Sequence, residues 1–369
     1  MSLTGTPFFL TTIVLVVVAL ALPLTLWGKI GGPKLVRHVT RFFMLLFAQV
    51  TAVVMVFVIV NNSNGLFDTW ADLLGTGDHV SAAADLGPDG TGGKSLDEQP
   101  KVTQTFKPAS DKRMGPGVRE TQLKGRISGV EGEVYVWLPP QYDDPAYKNK
   151  TFPVVEVLPG FPGSAKAWFG TLNVNTQLKP MMEKGEVAPF IIVAPRTTLL
   201  GDVDTGCANI PGKVNADTWL SVDVRKMVVD NFRVSDKPDG WAVAGYSAGA
   251  HCAAKLAIAH PDRYRAGVSL SGYNDPVGEP ASLTAKTPEL REANNPWKML
   301  QRAKTPPHVA LFLSGAEGDG YQGGLAIKES AKPPTTVQVV PAGAGGHGTA
   351  VWKRQVPDVF KWLTKQIAH

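Results

Sequence analysis

Residues 241–260 read WAVAGYSAGAHCAAKLAIAH, and this stretch decides the fold. An apolar run of strand character enters Gly245-Tyr246-Ser247-Ala248-Gly249, and an alanine-rich helical stretch follows. A serine hydroxyl is a poor nucleophile on its own. Set on a sharp strand-to-helix turn, it is lifted above the end of a sheet, where the helix N-terminus favours an anion. Such a turn needs small neighbours, because a side chain at either glycine would collide with the adjoining strand or helix. The bare pattern is weak. Its strand–turn–helix setting sets it apart from a tight turn with a capping serine.

Outward from this turn, apolar runs alternate with helical stretches. The runs lie at 152–160, 190–197, 240–247, 266–272, 308–315 and 335–341, and the clearest helical stretches at 216–232, 248–260 and 357–368. A hairpin is expected before them, from TQLKGRI (121–127) and GEVYVWLP (132–139). Short continuous apolar strands between helices imply a mostly parallel sheet covered on both faces. The fold class is α/β, with one domain expected over 113–369.

Ligands of such sheets sit beyond the carboxyl ends of the strands, so the partners of Ser247 belong in the following loops. In an α/β-hydrolase fold the order is nucleophile, acid, histidine. His347 lies in the glycine-rich loop after the last run and just before the final helical stretch, which makes it the expected base. His251 and His260 fall in the helix behind the serine, His308 starts a strand, and His38 and His369 lie near the two ends of the chain. The acid is expected after HVALFLSG (308–315). Asp319 is preferred there because its distance from the strand end gives the loop room to turn back, and Glu317 is the alternative. Two backbone N–H groups must face the developing oxyanion. Ala248 supplies one, and Phe161, in VVEVLPGFPGSAKAWF (154–169), supplies the other.

The N-terminal part has a different character. Residues 8–27 and 42–60 carry no charge and are each long enough to cross a bilayer. The segment between them holds Lys29, Lys34, Arg37 and Arg41 and no acid, which places it on the cytoplasmic side and everything after Val60 outside. A cleaved signal peptide is the competing reading of the first segment, but it lacks an N-terminal positive charge and a second span follows. The expected organisation is two transmembrane helices over 1–62, a juxtamembrane segment and flexible linker over 63–112, then the catalytic domain. Leu66, Trp70, Leu73 and Leu74 would share one helical face, resting either on the membrane or on the domain. The only two cysteines, Cys207 and Cys252, both fall on the outward side, where a disulfide is favoured.

Other functions find little support. The net charge of +5 comes from scattered basic residues with no aromatic-interleaved run, so nucleic acid is not an expected partner. PDGTGGKS (88–95) ends like a phosphate-binding loop, but Pro88 stands where its first glycine belongs. Two cysteines without clustered histidines make no zinc site, and Asp202 with Asp204 reads as a pair of solvated carboxylates rather than a calcium loop. No metal or organic cofactor is implied.

Taken together, VLPGFPGSAKAWF, GYSAGAHCAAKLAIAHPDRYRAGVSLSGY and GGHGTAVWKRQVPDVFKWL resemble the putative-esterase family of α/β-hydrolases. That family includes esterase D (S-formylglutathione hydrolase), feruloyl esterases and the mycolyltransferases of bacterial envelopes. The resemblance spans about residues 118–367. It implies Ser247 as nucleophile, His347 as base, Phe161 and Ala248 as oxyanion donors, and an acid after the penultimate strand. Where mycolyltransferases carry an acidic residue that engages a sugar, this chain has Pro159. The expected function is a membrane-anchored, outward-facing serine esterase acting on an ester or acyl donor, lipids included. Acyl transfer to envelope lipids or glycans and a catalytically idle envelope binding protein are the alternatives. The sequence sets no oligomeric state.

Overall fold

The computed structural model describes residues 1–95 and 98–367. Among the described residues eleven strands form, the longer ones where a short apolar or alternating run meets a turn. They are β1 (Lys107–Pro108), β2 (Val118–Lys124), β3 (Glu131–Trp137), β4 (Val154–Leu158), β5 (Ile191–Pro195), β6 (Asn209–Ile210), β7 (Val214–Asn215), β8 (Trp241–Tyr246), β9 (Ala266–Leu270), β10 (Ala310–Gly315) and β11 (Thr336–Pro341). All but the small β6–β7 hairpin join one nine-stranded sheet in the order β1-β2-β3-β5-β4-β8-β9-β10-β11. The strands from β5 to β11 run parallel, while β1, β2 and β3 join antiparallel at one edge. This is the mostly parallel, helix-flanked sheet expected from the sequence.

Every residue of β4, β5, β8, β9 and β10 is buried, because helices cover both faces. Alternation along each strand sorts side chains between two cores. Trp241 and Val243 of β8 point into the core that also takes Cys252, Ala253 and Leu256 of the helix after Ser247. Ala242, Ala244 and Tyr246 point to the other, filled by Trp352, Val356, Phe360 and Leu363 of the C-terminal helix Thr349–Ile367. One polar side chain sits inside the first core: Glu156 of β4 is fully buried and accepts a hydrogen bond from the Tyr264 hydroxyl at 2.7 Å.

At the N-terminus, α1 (Thr6–Leu26) and α2 (Lys34–Asn64) pack as a hairpin of two largely exposed apolar helices, each a candidate membrane span. Helix α2 is longer than the apolar stretch suggested. It begins at Lys34 behind Pro33 and runs to Asn64, where Gly65 at φ +64° ends it. The face expected to join Leu66, Trp70, Leu73 and Leu74 is not continuous. Only α3 (Trp70–Leu73) forms, one turn held by a capping box between Thr69 and Asp72. The Trp70 ring packs edge-on against Phe8, and its indole N–H donates to the Met1 carbonyl at 2.9 Å, so this turn rests on the start of α1.

Residues 77–112, expected as a flexible tether, are in large part laid along the domain. The Ser81 N–H donates to the Gly129 carbonyl at 2.8 Å, and the Thr218 hydroxyl donates to the Gly90 carbonyl at 2.6 Å. The Asp89 carbonyl accepts from Arg263 at 2.6 Å, and Lys107–Pro108 joins the sheet as its edge strand. Backbone groups of a polar, glycine-rich stretch gain partners this way without any apolar periodicity.

Candidate active site

Strands β4 and β8 lie side by side in register, with Leu158 opposite Gly245. The order of connections reverses between these two strands, and loops leaving them on opposite sides open a crevice there. Ser247 stands at the end of β8 with φ +56° and ψ −126°, a conformation that costs a non-glycine residue about 1–3 kcal/mol. The surroundings enforce it. A Cβ added at Gly245 would sit 2.0 Å from the Gly249 carbonyl oxygen, and one at Gly249 would sit 2.3 Å from that of Pro159. Only glycine fits at either place, as the collision argument from sequence requires.

The Ser247 hydroxyl lies 2.9 Å from His347 Nε2, and His347 Nδ1 lies 2.8 Å from Asp319 Oδ1. His347 comes from the loop after β11 and Asp319 from the loop after β10, so the exits of three parallel strands, β8, β10 and β11, converge on one point. Of the two acidic candidates, Asp319 is the one that reaches His347. A tight turn closed by the Asp319 N–H on the Ala316 carbonyl at 2.9 Å brings Asp319 back to the strand end, while Glu317 is exposed at its tip.

The loop that carries Phe161 leaves β4. A Cβ on Gly160 would come within 2.9 Å of Ser247 Cβ, so the main chain that carries the Phe161 N–H runs directly beside the serine. Among the described residues this N–H donates to no protein acceptor. Ala248 opens the twelve-residue helix behind Ser247. The crevice is open to solvent, with 45% of the His347 side chain and 24% of that of Asp319 accessible.

His251, one turn beyond Ser247, takes a different role. It is buried, its Nδ1–H donates to the Tyr273 carbonyl at 2.9 Å, and burial pushes its pKa down to about 4. His260 instead meets Asp217 at 2.7 Å. Burial alone would raise Asp217, but the His260 charge and hydrogen bond, together with Lys255, carry it down to about 2. His369 lies outside the described residues. Cys207 and Cys252 are joined by a disulfide, Cα to Cα 5.6 Å, which ties the helix behind Ser247 to the loop after β5. Among the described residues no group of three or more metal-ligating side chains forms, and Asp204 is buried rather than solvated, its N–H partner being Gly206 at 3.1 Å.

The sequence reading missed the support for His347. Trp352 packs edge-on against its ring at 5.0 Å, stacks on Tyr246 at 4.5 Å and donates to the Ser271 hydroxyl at 3.1 Å. A tryptophan five residues after the candidate base, in the first turn of a helix, was the available signal.

The family model described as "Putative esterase" matches residues 127–361. The chain belongs to this esterase family. A curated relative, an uncharacterized protein of Corynebacterium glutamicum, is 25% identical over 286 residues, covering 72% of this chain. The match spans 65% of that relative, just under two thirds of its length. Among solved structures, a ferulic acid esterase superposes with a TM-score of 0.57 at 19% identity, covering 67% of this chain and 98% of its own. An S-formylglutathione hydrolase from Agrobacterium tumefaciens gives 0.54 at 13% identity, covering 73% and 100%. A fluorophosphonate-binding serine hydrolase of Staphylococcus aureus gives 0.52 at 19%, covering 68% and 99%. At these identities the structural matches establish the fold.

Proposed function

We propose that this esterase-family protein is a membrane-anchored serine hydrolase of carboxylic esters, with Ser247 as nucleophile, His347 as base and Asp319 as the acid that orients it. The observation that carries the reading is the continuous chain from Ser247 Oγ through His347 to Asp319, at 2.9 and 2.8 Å, set on a turn that only glycines permit. Ser247 Oγ attacks the ester carbonyl while its proton passes to His347 Nε2. The Phe161 and Ala248 N–H groups hold the oxyanion, the imidazolium returns its proton to the departing alcohol, and an acyl-enzyme remains. Water then attacks, His347 takes its proton and returns it to Ser247 Oγ as the tetrahedral intermediate collapses, and the carboxylic acid leaves. Residues 1–62 anchor the chain, 63–112 form the juxtamembrane segment and 113–369 the catalytic domain on the extracytoplasmic side. That side follows from the four basic residues between α1 and α2.

The test is labelling of the full chain in detergent with a fluorophosphonate, read by intact mass, beside turnover of short and long p-nitrophenyl esters. Wild type is expected to gain one adduct and to hydrolyse ester, and Ser247→Ala and His347→Ala to do neither. A folded wild type that neither labels nor hydrolyses would leave the fold as a binding scaffold. Ester consumption that produces a new ester when an alcohol is added would make the protein an acyltransferase by the same steps.

A further inference from the structure

We propose that Asp68, in the segment leaving α2, is a positioning residue for the oxyanion loop, holding the Phe161 N–H in place through Ser164 and Lys166. This rests on the esterase reading above and assigns the anchor segment a part in the reaction.

The loop from Pro159 to Lys166 carries Phe161 past Ser247 and must be fixed from its outer side. The juxtamembrane chain does this. The Ser164 N–H donates to the Gly65 carbonyl at 2.8 Å, and the Ser164 hydroxyl donates to Asp68 Oδ2 in a short bond. Lys166 Nζ reaches Asp68 Oδ1 at 3.2 Å, and the Lys166 N–H donates to Ser164 Oγ at 3.1 Å. Asp68 is thus held between two groups of the loop, with only 9% of its side chain accessible. A second limb arrives one turn later. Asp72 meets Arg196 at 3.0 Å, Arg196 Nη1 donates to the Thr198 carbonyl at 3.2 Å, and the Thr198 hydroxyl donates to the Gly163 carbonyl at 3.1 Å.

The clamp is also fixed to the helix hairpin. Asn61, in the last turn of α2, accepts from the Phe67 N–H at 2.8 Å and donates to the Phe67 carbonyl at 3.0 Å. A Cβ on Gly65 would sit 3.0 Å from Ala167 Cβ, so the end of α2 abuts the short helix that follows the loop. Taking a carboxylate and an ammonium out of water is costly, and apolar contacts would attach the segment more cheaply. What the pair and its hydrogen bonds supply is a defined direction for the loop. A displacement of about 1 Å in a catalytic group costs on the order of a hundredfold in rate, and loss of one oxyanion donor costs about 10²–10³.

The experiment uses the full chain in detergent, with Asp68→Asn, Ser164→Ala and the double variant. It reads kcat and KM on a p-nitrophenyl ester, the rate of fluorophosphonate labelling, and the thermal midpoint. Each single variant is expected to lose at least tenfold in kcat and labelling rate, with KM within twofold and the protein still folded at the assay temperature, although Asp68→Asn lowers the midpoint by leaving Lys166 unpaired. The double variant is expected to lose no more than the worse single one, since both cut the same link. Unchanged kcat in both single variants overturns the proposal, as does a loss that follows only the fraction of unfolded protein or multiplies in the double variant. A folded wild type that fails to label removes the esterase reading and this inference with it; a labelled wild type beside unaffected variants removes this inference alone.

Discussion

Replacing Glu156 by glutamine should remove the loss of stability that its own titration imposes between pH 4.5 and about 8. Glu156 sits on β4 inside the core, its Oε2 accepting from Tyr264 and its Oε1 without a partner among the described residues. Burial pushes its pKa from 4.5 up to about 8, outweighing the Tyr264 hydrogen bond and the more distant Arg225 charge. A carboxyl raised in the folded state binds its proton more tightly there than in the unfolded chain. Its contribution to stability is therefore full below pH 4.5 and is lost as pH rises from 4.5 through about 8. At about 1.4 kcal/mol per pKa unit, the loss reaches roughly 3 kcal/mol at pH 7 and 4–5 kcal/mol by pH 9. Glutamine keeps an acceptor for Tyr264 and does not titrate, though its second N–H costs about 1–3 kcal/mol where no acceptor waits. The two proteins should differ little near pH 7 and diverge above it, with Glu156→Gln the more stable at pH 9. Thermal unfolding followed by near-ultraviolet circular dichroism at pH 5, 7 and 9 measures this. Parallel pH dependences in the two proteins would refute the reasoning, because they would mean that Glu156 enters the native core already ionised.

Asp319→Asn should lower kcat by about 10³–10⁴-fold, as expected when the imidazole loses the partner that fixes its tautomer, whereas Glu317→Gln should stay within twofold; steady-state ester hydrolysis separates them, and equal losses would reopen the choice of acid. Gly160→Ala places a methyl group 2.9 Å from Ser247 Cβ and should cost on the order of a hundredfold in kcat by displacing the serine or the oxyanion loop. An unchanged labelling rate in that variant would mean the loop yields without affecting the site. The Cys207–Cys252 disulfide closes a 45-residue separation, which the chain-entropy relation converts to about 4 kcal/mol. Denaturant titration with and without reductant should show a large part of that loss, and a difference below about 1 kcal/mol would mean that the unfolded chain already restricts this loop.

The parts of the site legible in sequence are those set by local pattern. Gly245, Ser247 and Gly249 announce their turn because a strand and a helix meet there, and His347 is placed by the last strand and helix of the chain. Periodicity could not choose Asp319 over Glu317, since the decision lies in one backbone bond from Asp319 to Ala316 that folds the loop back. Nor could it find Trp352 beneath His347, because a tryptophan on the buried face of a helix reads as core. The stretch 77–112 looked like a linker because its glycines and prolines break periodicity. Its order comes from backbone partners far along the chain, such as Gly129, Thr218 and Arg263. Asp72 was legible only as the acid of a capping box with Thr69, and Asp68 not at all, because the partners they meet enter with β5 and the loop after β4.

The two limbs of the clamp join residues 96 and 124 positions apart. The chain emerges from the ribosome with the helix hairpin and its two carboxylates first, and their partners follow only after most of the sheet's first half has been made. Until then Asp68 has no partner from the sheet, and Asp72 only its Thr69 cap. Their burial therefore waits only on β3, β5 and the loop that follows β4. The clamp can therefore close as soon as residue 196 has been made, before the segments that carry Ser247, Asp319 and His347 exist.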